Sequence, residues 1–408
     1  MAAAPIPLYS PDQKETFYVP AIEVYIRGQK LKDNIINDIR QVTYKDSINE
    51  IDSFNIEINN WDAEKRAFKF TPPVSKDFVG IFNPGAPIEL WMGYANNLRM
   101  MMRGQVTSLE PNFSESAPTL SVRGLNELHQ FRTEQHTYSW LNDELMKQGK
   151  QGKTDTQIAQ ELGAAPVKKG QPGLGIPVRP NPAADEAIDP LVFMNNQYDI
   201  VFLLERARRH GYEVYLETIK GKQKLYFGLS ESKAQAPVYQ LEWGKSLISF
   251  KPSLTTAKQV AQVTVRGWDR KANRPIEESF TLQQLWKAQN LSQSEIARRQ
   301  LIAQAYGNRT EVVTDKPVYT KQQAKQMARS ILEDTDKKLI EATASTVGLP
   351  DLRAGSIVFI SGFGPPPGAN IDPAGVIDFD GKYYVKESTH TIGESGYRTD
   401  FSVRREGS

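Results

Sequence analysis

The chain contains no cysteine. Disulfides, thiolate metal centres and a thiol nucleophile are therefore excluded. Histidine is nearly as scarce, with only His129, His136, His210 and His390. None of the four stands in a G-x-S-x-G elbow or an H-E-x-x-H helix. His129 and His136, with Glu134 between them, match no ordinary metal spacing. The histidines read as surface or lightly buried imidazoles. Long apolar runs are missing too, and none approaches the ~18 residues of a membrane span. The start, MAAAPIPLYSPDQKETF, lacks the basic head and apolar core of a secretory signal. Both absences fit synthesis in the cytoplasm. Charge of one sign is also lacking: 50 Lys and Arg balance 48 Asp and Glu, for a net charge of +2. A protein that releases counterions from nucleic-acid phosphates needs a basic face, and none is visible here.

What is present is a soluble, mixed composition in 408 residues, enough for two or three domains. Residues 1–128 read as short strands separated by turn residues, such as Gly28 and Asn83-Pro84-Gly85. Within them Phe54, Ile56 and Ile58 alternate with Asn55 and Glu57, the period of a half-buried strand. Six or seven such strands predict a small antiparallel barrel or sandwich. Residues 129–240 mix helices and strands. Thr154 to Gln157 has capping-box form ahead of Ile158 and Leu162. A helix from Asp199 ends in Arg208-Arg209-His210-Gly211. Residues 168–189 are rich in Pro, Gly and Ala and read as an exposed loop. Tyr212–Glu217 and Lys224–Leu229 read as a hairpin.

Strand character returns at Leu247–Phe250 and Gln259–Gly267. A polar, partly helical stretch follows over 268–320. Thr320 to Gln323 has the form of a second capping box, and behind it Ala324, Ala328, Ile331 and Leu332 keep helical spacing for about five turns. Strands close the chain. The sequence thus predicts an α+β, mainly β protein. One β-barrel spans 1–128, a mixed domain 129–240, a second barrel 241–267 with 321–408, and an insert 268–320. The order β, mixed, β is compatible with an internal duplication.

The stretch GLPDLRAGSIVFISG, Gly348 to Gly362, could be a phosphate loop, an active-site rim or a barrel corner. Gly348 reads as a residue of positive φ ending the helical segment. Leu352 to Gly355 turns the chain, and Ile357 to Ile360 form an apolar run of strand length, buried on both faces. No nucleophile, base or ligand is displayed, so the stretch reads as scaffold. GVIDFDGK, 375–382, only superficially matches a P-loop, because Tyr383 stands where Mg²⁺ binding needs Ser or Thr. Asp380-Gly381 reads instead as a hairpin turn, and Pro365 to Pro367 as a stiff, projecting loop.

The order YTKQQAKQMARSIL, GLPDLRAGSIVFISGFG, GKYYVKESTHTI, GYRTDFSVRR resembles the C-terminal signature of the phage late control gene D family. That family is itself similar to the hub domains of VgrG proteins and of contractile-tail baseplates. The positions carrying the likeness are Gly348, Pro350, Leu352 and Gly355, then Gly381, Tyr383, Val385 and His390, then Gly396, Tyr397, Thr399 and Arg404; Gly362 closes the strand after the turn. MMRGQVTSLEPN with TLSVRGLNELH, DIVFLLERARRHGYEVYLE and VAQVTVRGWDRKANRPIEES extend it over nearly the whole chain. The resemblance implies two tail-tube-like barrels per chain and a structural homotrimer. It also implies an adaptor role between a sixfold inner tube, or its initiator, and a separate spike, with baseplate wedge proteins alongside. It implies no catalytic residue, metal, cofactor or specific nucleic acid. The expected setting is a chain made in the bacterial cytoplasm and assembled into the baseplate of a phage tail or tail-like injection particle. A tail-associated cell-wall hydrolase and a DNA-binding late-gene regulator are the alternatives.

Overall fold

A computed structural model describes residues 6–7, 19–71, 80–95, 97–115, 117–140, 152–166, 168, 170–189, 191–219, 222–231, 235–269, 272–291, 293–364 and 379–406. The first β-unit holds β1 (Pro20–Ile26), β2 (Ile39–Ser47), β3 (Ser53–Asn59), β4 (Pro87–Tyr94), β5 (Asn97–Asn112) and β6 (Thr119–Asn126). In β3 the buried positions are Phe54, Ile56 and Ile58, alternating with half-buried polar residues as the sequence requires. The mixed region holds β7 (Gln135–Ser139), β8 (Val178–Asn181), β9 (Phe193–Tyr198), β10 (Glu213–Ile219) and β11 (Lys222–Gly228). The second β-unit begins with β12 (Tyr239–Glu242) and β13 (Leu247–Leu254). A small sheet of β14 (Gln262–Asp269), β15 (Arg274–Thr281) and β16 (Thr310–Val313) interrupts it. The second unit resumes with β17 (Ile340–Val347), β18 (Ile357–Ser361), β19 (Gly381–Gly393) and β20 (Gly396–Arg404).

The two units have the same strand order. The first runs β1-β4-β5-β6-β3-β2, and the second runs β12-β18-β19-β20-β17-β13. Their registers also coincide. Leu120 faces Ile58 and Pro111, as Thr399 faces Thr346 and His390. A bulge falls at the same place in both inner ladders, between Arg123 and Gly124 opposite β5, and between Val385 and Glu387 opposite β20. A second bulge recurs between Ile39 and Gln41, and between Leu247 and Ser249. One pair differs: β1 runs antiparallel to β4, whereas β12 runs parallel to β18.

The turn before the fourth strand repeats its backbone hydrogen bonds in both units. Gly85 N–H donates to Val106 O at 2.7 Å, and Gly355 N–H to Val385 O at 2.9 Å. Val106 N–H returns to Ala86 O, as Val385 N–H returns to Ser356 O. Gly85 has φ 83° and Gly355 φ 87°, the left-handed region that favours glycine. Gly348–Gly362 therefore contains the second copy of a structural corner whose first copy is Phe82–Pro87. Among the described residues no ladder joins β1 to β2 or β12 to β13, so hydrogen bonds do not close either unit into a barrel. The units are instead fused in one fourteen-stranded sheet through β2 and β19.

Four main apolar clusters fill the molecule. One lies in the first β-unit and takes in Tyr397 from β20; another lies in the second unit. The mixed region buries Ile158 and Leu162 of α2 (Asp155–Leu162) with Ile200 and Leu203 of α3 (Asp199–His210), the short α1 (Asp33–Ile36) lying earlier in the chain. The fourth packs β14 and β15 against α4 (Leu282–Ala288) and α6 (Lys321–Lys337), with α5 (Gln293–Ala303) beside them.

Several expectations are corrected here. Gln259–Gly267, grouped by sequence with the second β-unit, supplies a strand that pairs with β15 and β16 instead. Its Val263 and Val265 need the apolar stripe of α6, and Ala324, Ala328 and Leu332 provide it. The 168–189 segment is not an exposed loop throughout. Leu174 and Ile176 are buried, and Val178–Asn181 adds a parallel strand to β11. Asp380-Gly381 is not a two-residue turn. The Asp380 carboxylate accepts from the Phe363 and Gly364 N–H groups, and Gly381 already pairs with Ile360. The capping box at Thr154 forms in full, whereas at Thr320 only half forms, because Gln323 Oε1 accepts from Tyr319 N–H. The Pro365–Pro367 loop and Lys220-Gly221 lie outside the described residues.

Candidate functional site: the polar seam between the two β-units

The seam is made by one forked strand. Residues Gly381 to Tyr384 of β19 pair with β18, and Glu387 to Ile392 pair antiparallel with Ser47 to Val42 of β2. The bulge between them redirects the edge from one neighbour to the other. Period two then decides which side chains meet. Val42, Tyr44 and Asp46 share the inner face of β2, and Ser388 and His390 share that of β19.

Asp46, 4% exposed, is the electrostatic centre. Arg353, from the repeated corner, ion-pairs with it and donates to Tyr44 Oη and Met101 O. The guanidinium also lies over the Tyr44 ring at 4.7 Å. Ala354 N–H and Ser388 Oγ–H complete the Asp46 shell. Burial disfavours the Arg353 charge, but Tyr44 and Asp46 more than offset this, so its pKa is raised and it stays charged. Asp52 lies beyond, taking hydrogen bonds from Tyr44 Oη at 3.3 Å and Asn126 Nδ2 at 2.9 Å. Burial and then the neighbouring Asp46 charge push it up to about 7.

His390 is fully buried, against the expectation of a surface or lightly buried imidazole. It packs where β19 crosses from one unit to the other, and burial lowers its pKa to about 4. It is therefore neutral at pH 7. Its tautomer follows from its partners. Leu352 O, 3.2 Å from Nε2, can only accept, so Nε2 carries the proton. Nδ1 then accepts from Tyr397 Oη at 3.0 Å and Thr399 Oγ1 at 3.2 Å. This is a satisfied structural histidine.

The residues that carry the sequence resemblance sort around this seam. Gly348, Leu352, His390 and Tyr397 meet directly, while Gly355 bonds to Val385 and faces the Tyr215 ring. Gly348 does not have positive φ. It is glycine because any Cβ would sit 1.9 Å from the Tyr397 ring. Its N–H donates to Tyr397 O and its carbonyl accepts from Tyr94 Oη. Pro350 lines a cleft of about 390 Å³ with Arg99 and Arg353. Tyr383, Gly362 and Gly381 lie apart, at the β18–β19 end. Tyr383 is fully buried and donates to Phe379 O at 2.7 Å, while Gly362 has φ 106° beside Trp243 and Gly381 has φ 142°.

Sequence reasoning missed Tyr44, Asp46, Asp52 and Arg353. One signal was available: an acid on the apolar face of an alternating strand, Val42-x-Tyr44-x-Asp46, needs a buried partner. Other junctions in the chain are ionic as well. Glu213 of β10 takes Arg404 and Tyr384 Oη, and Asp155 takes Arg206 and His210. Among the described residues no group of three or more His, Asp or Glu could hold a metal ion. No helix among them is long and apolar enough to cross a membrane.

Comparison with solved structures fits this architecture. The tail protein of Neisseria meningitidis MC58 superposes with a TM-score of 0.61 at 15% identity, over 96% of this chain and 98% of that one. The 43 kDa tail protein of prophage MuSo2 from Shewanella oneidensis gives 0.62 at 14%, over 95% and 98%. The chain has a tail-protein fold. A type VI secretion component of E. coli, described as similar to the bacteriophage T4 tail proteins gp27 and gp5, gives 0.54 at 10%, over 93% of this chain and 76% of that one. Residues 192–394, just under half of the chain, match the family described as the Alg8 N-terminal domain. No curated protein matches.

Proposed function

We propose that this chain is a structural baseplate hub of a phage tail or tail-like injection particle, a homotrimeric adaptor between a sixfold inner tube and a separate spike. The observation that carries the reading is the duplicated β-unit. Two units with one strand order, common bulges and a common glycine corner give each chain two quasi-equivalent faces. Three such chains present six units toward a sixfold partner and three copies of everything else toward a threefold one. The tail-protein fold over nearly the full length of two tail proteins supports the same reading. The fully satisfied seam, where each polar group is spent on another, supports a scaffold rather than a reaction centre.

The partners on this reading are copies of the chain itself, the inner tube or its initiator, the spike and the baseplate wedges. Neither a cofactor nor a specific nucleic acid enters. The chain is made in the bacterial cytoplasm and finishes in the baseplate. Deleting the gene tests this directly. Particles should fail to form, or form without a tube–spike connection, in electron micrographs. Normal particles, or muropeptide release and salt-sensitive duplex binding by the purified protein, would overturn the reading in favour of a hydrolase or a regulator.

A further inference from the structure

The in-chain seam has an unoccupied twin. In the first unit the outer edge of β2 is covered by the far half of β19. The equivalent strands are β13 in the second unit and the far half of β5 in the first. Among the described residues β13 pairs only with β17 beyond the lone Trp243–Leu247 bridge, and Ser108 to Asn112 pair only with β6. We infer that the outer edge of β13 and the far half of β5 are the two sides of one interface between copies of this chain, in the register that β2 and β19 use within it. The proposal rests on the hub reading, and it names the surface by which that hub closes.

The shared registers fix the pairs. Tyr44 opposite His390 becomes Pro252 opposite Pro111. Asp46 opposite Ser388 becomes Leu254 opposite Leu109, and continuing the register one residue past the end of β5 puts Phe113 opposite Phe250, where Ile392 faces Val42. The polar members of the in-chain seam are thus replaced, on both free edges at once, by apolar residues. Phe113 touches the Phe68 ring edge-on at 4.9 Å and is still 58% exposed, an apolar surface open on the edge side. Trp243 just before β13 and Ile248 within it are similarly bare, at 60% and 57%.

Backbone directions agree. Thr255 N–H donates to Leu339 O, so the alternate residue Pro252 turns its backbone outward. Asn60 N–H donates to Pro118 O and Asn126 N–H to Asp52 O, so Leu120 faces β3 and its opposite residue Pro111 faces outward. Each free edge therefore lacks one donor, at the same register position. Proline on an edge blocks pairing with arbitrary strands. Between copies the ladder opens at the two prolines and closes on either side, at Leu254–Leu109 and Phe250–Phe113. The in-chain seam is a continuous sheet, and the between-copy seam is a looser, apolar one. It joins unlike edges head to tail, a contact that closes a ring when its rotation divides the full turn, as the hub reading requires.

The absence of cysteine makes a crosslink test clean. Ser253 and Glu110 correspond to Lys45 and Thr389, which face each other across the in-chain seam. Cβ atoms of such antiparallel partners lie about 4.5–5.5 Å apart, close to disulfide reach. Ser253→Cys with Glu110→Cys should oxidise to a covalent species of three chains, and neither single variant should. An oligomer by native mass that does not crosslink overturns this seam and leaves the hub reading standing. A monomer even with the spike present overturns both. Separately, Pro111→Thr with Pro252→Thr restores two donors and should tighten self-association on the order of tenfold. Unchanged association would overturn the register.

Discussion

The duplicated corner offers a controlled experiment, because one backbone conformation occurs in two surroundings. Gly85 and Gly355 have φ of 83° and 87° and the same pair of hydrogen bonds. A Cβ at Gly85 meets nothing within 4 Å, whereas one at Gly355 comes 2.9 Å from the Tyr215 ring. Left-handed backbone disfavours alanine by roughly 1–2 kcal/mol, and the less flexible unfolded chain offsets roughly 0.4–1 kcal/mol of that. Gly85→Ala should thus lose roughly 0–1.6 kcal/mol. Gly355→Ala adds overpacking against Tyr215, which is buried and stacked on Tyr226 at 4.8 Å. That term is about 1–3 kcal/mol. With several cores the chain need not unfold in one step, so a local probe is required. The amides of Val106 and Val385, which bond to Ala86 O and Ser356 O, are matched reporters for hydrogen exchange. Val385 should lose more protection in Gly355→Ala than Val106 loses in Gly85→Ala, and Tyr215→Leu should narrow the gap. Equal losses, or a larger one at Gly85, would refute the packing argument.

Two predictions concern the seam. His390, neutral when buried with a pKa of about 4, binds its proton more weakly folded than unfolded. Its contribution is fully present above about pH 6.5 and is lost by about 3 kcal/mol as pH falls to 4. Asp52, raised to about 7, works in the opposite direction: the folded state holds the proton more tightly, so stability rises by about 4 kcal/mol as pH falls from 7 toward 4. Urea midpoints should therefore change little with pH in the parent, rise on acidification in His390→Asn and fall in Asp52→Asn; parallel profiles in all three would count against the seam electrostatics. Arg353→Met leaves Asp46 buried without its cation. Breaking such a pair loses about 3–5 kcal/mol, and the low end applies because the guanidinium side chain is 27% exposed. Adding Asp46→Asn should recover part of that loss in a thermal melt, and a further loss would contradict the pairing.

Local features were legible in the sequence because their causes are local. The alternation of Phe54 to Ile58, the Thr154 capping box and the Gly211 cap at the end of α3 all came through. The β, mixed, β order was visible as well. The repeat was legible only as that coarse order; its position-by-position match was not, because equivalent positions carry unlike residues: Tyr44 and Pro252, His390 and Pro111, Thr399 and Leu120. What the two units share is backbone geometry, namely two bulges and a glycine corner, and many side chains satisfy the same backbone. The seam was hidden for another reason. Asp46 and Arg353 lie far apart in the chain, and only the forked pairing of β19 brings them together. Gly348 shows a smaller limit. Sequence marks it as glycine, but only the Tyr397 ring against it tells close approach from positive φ.

The most direct test of the hub assignment is the native mass of the chain co-expressed with a candidate spike protein from its own gene cluster, read by light scattering or native mass spectrometry. Three copies of this chain bound to one spike trimer is the expected composition. The complex should persist in moderate salt, because a matched threefold interface is apolar at its centre and screening acts mainly on exposed charges. A strictly monomeric chain, with no spike, needle or tip protein retained, would contradict the assignment.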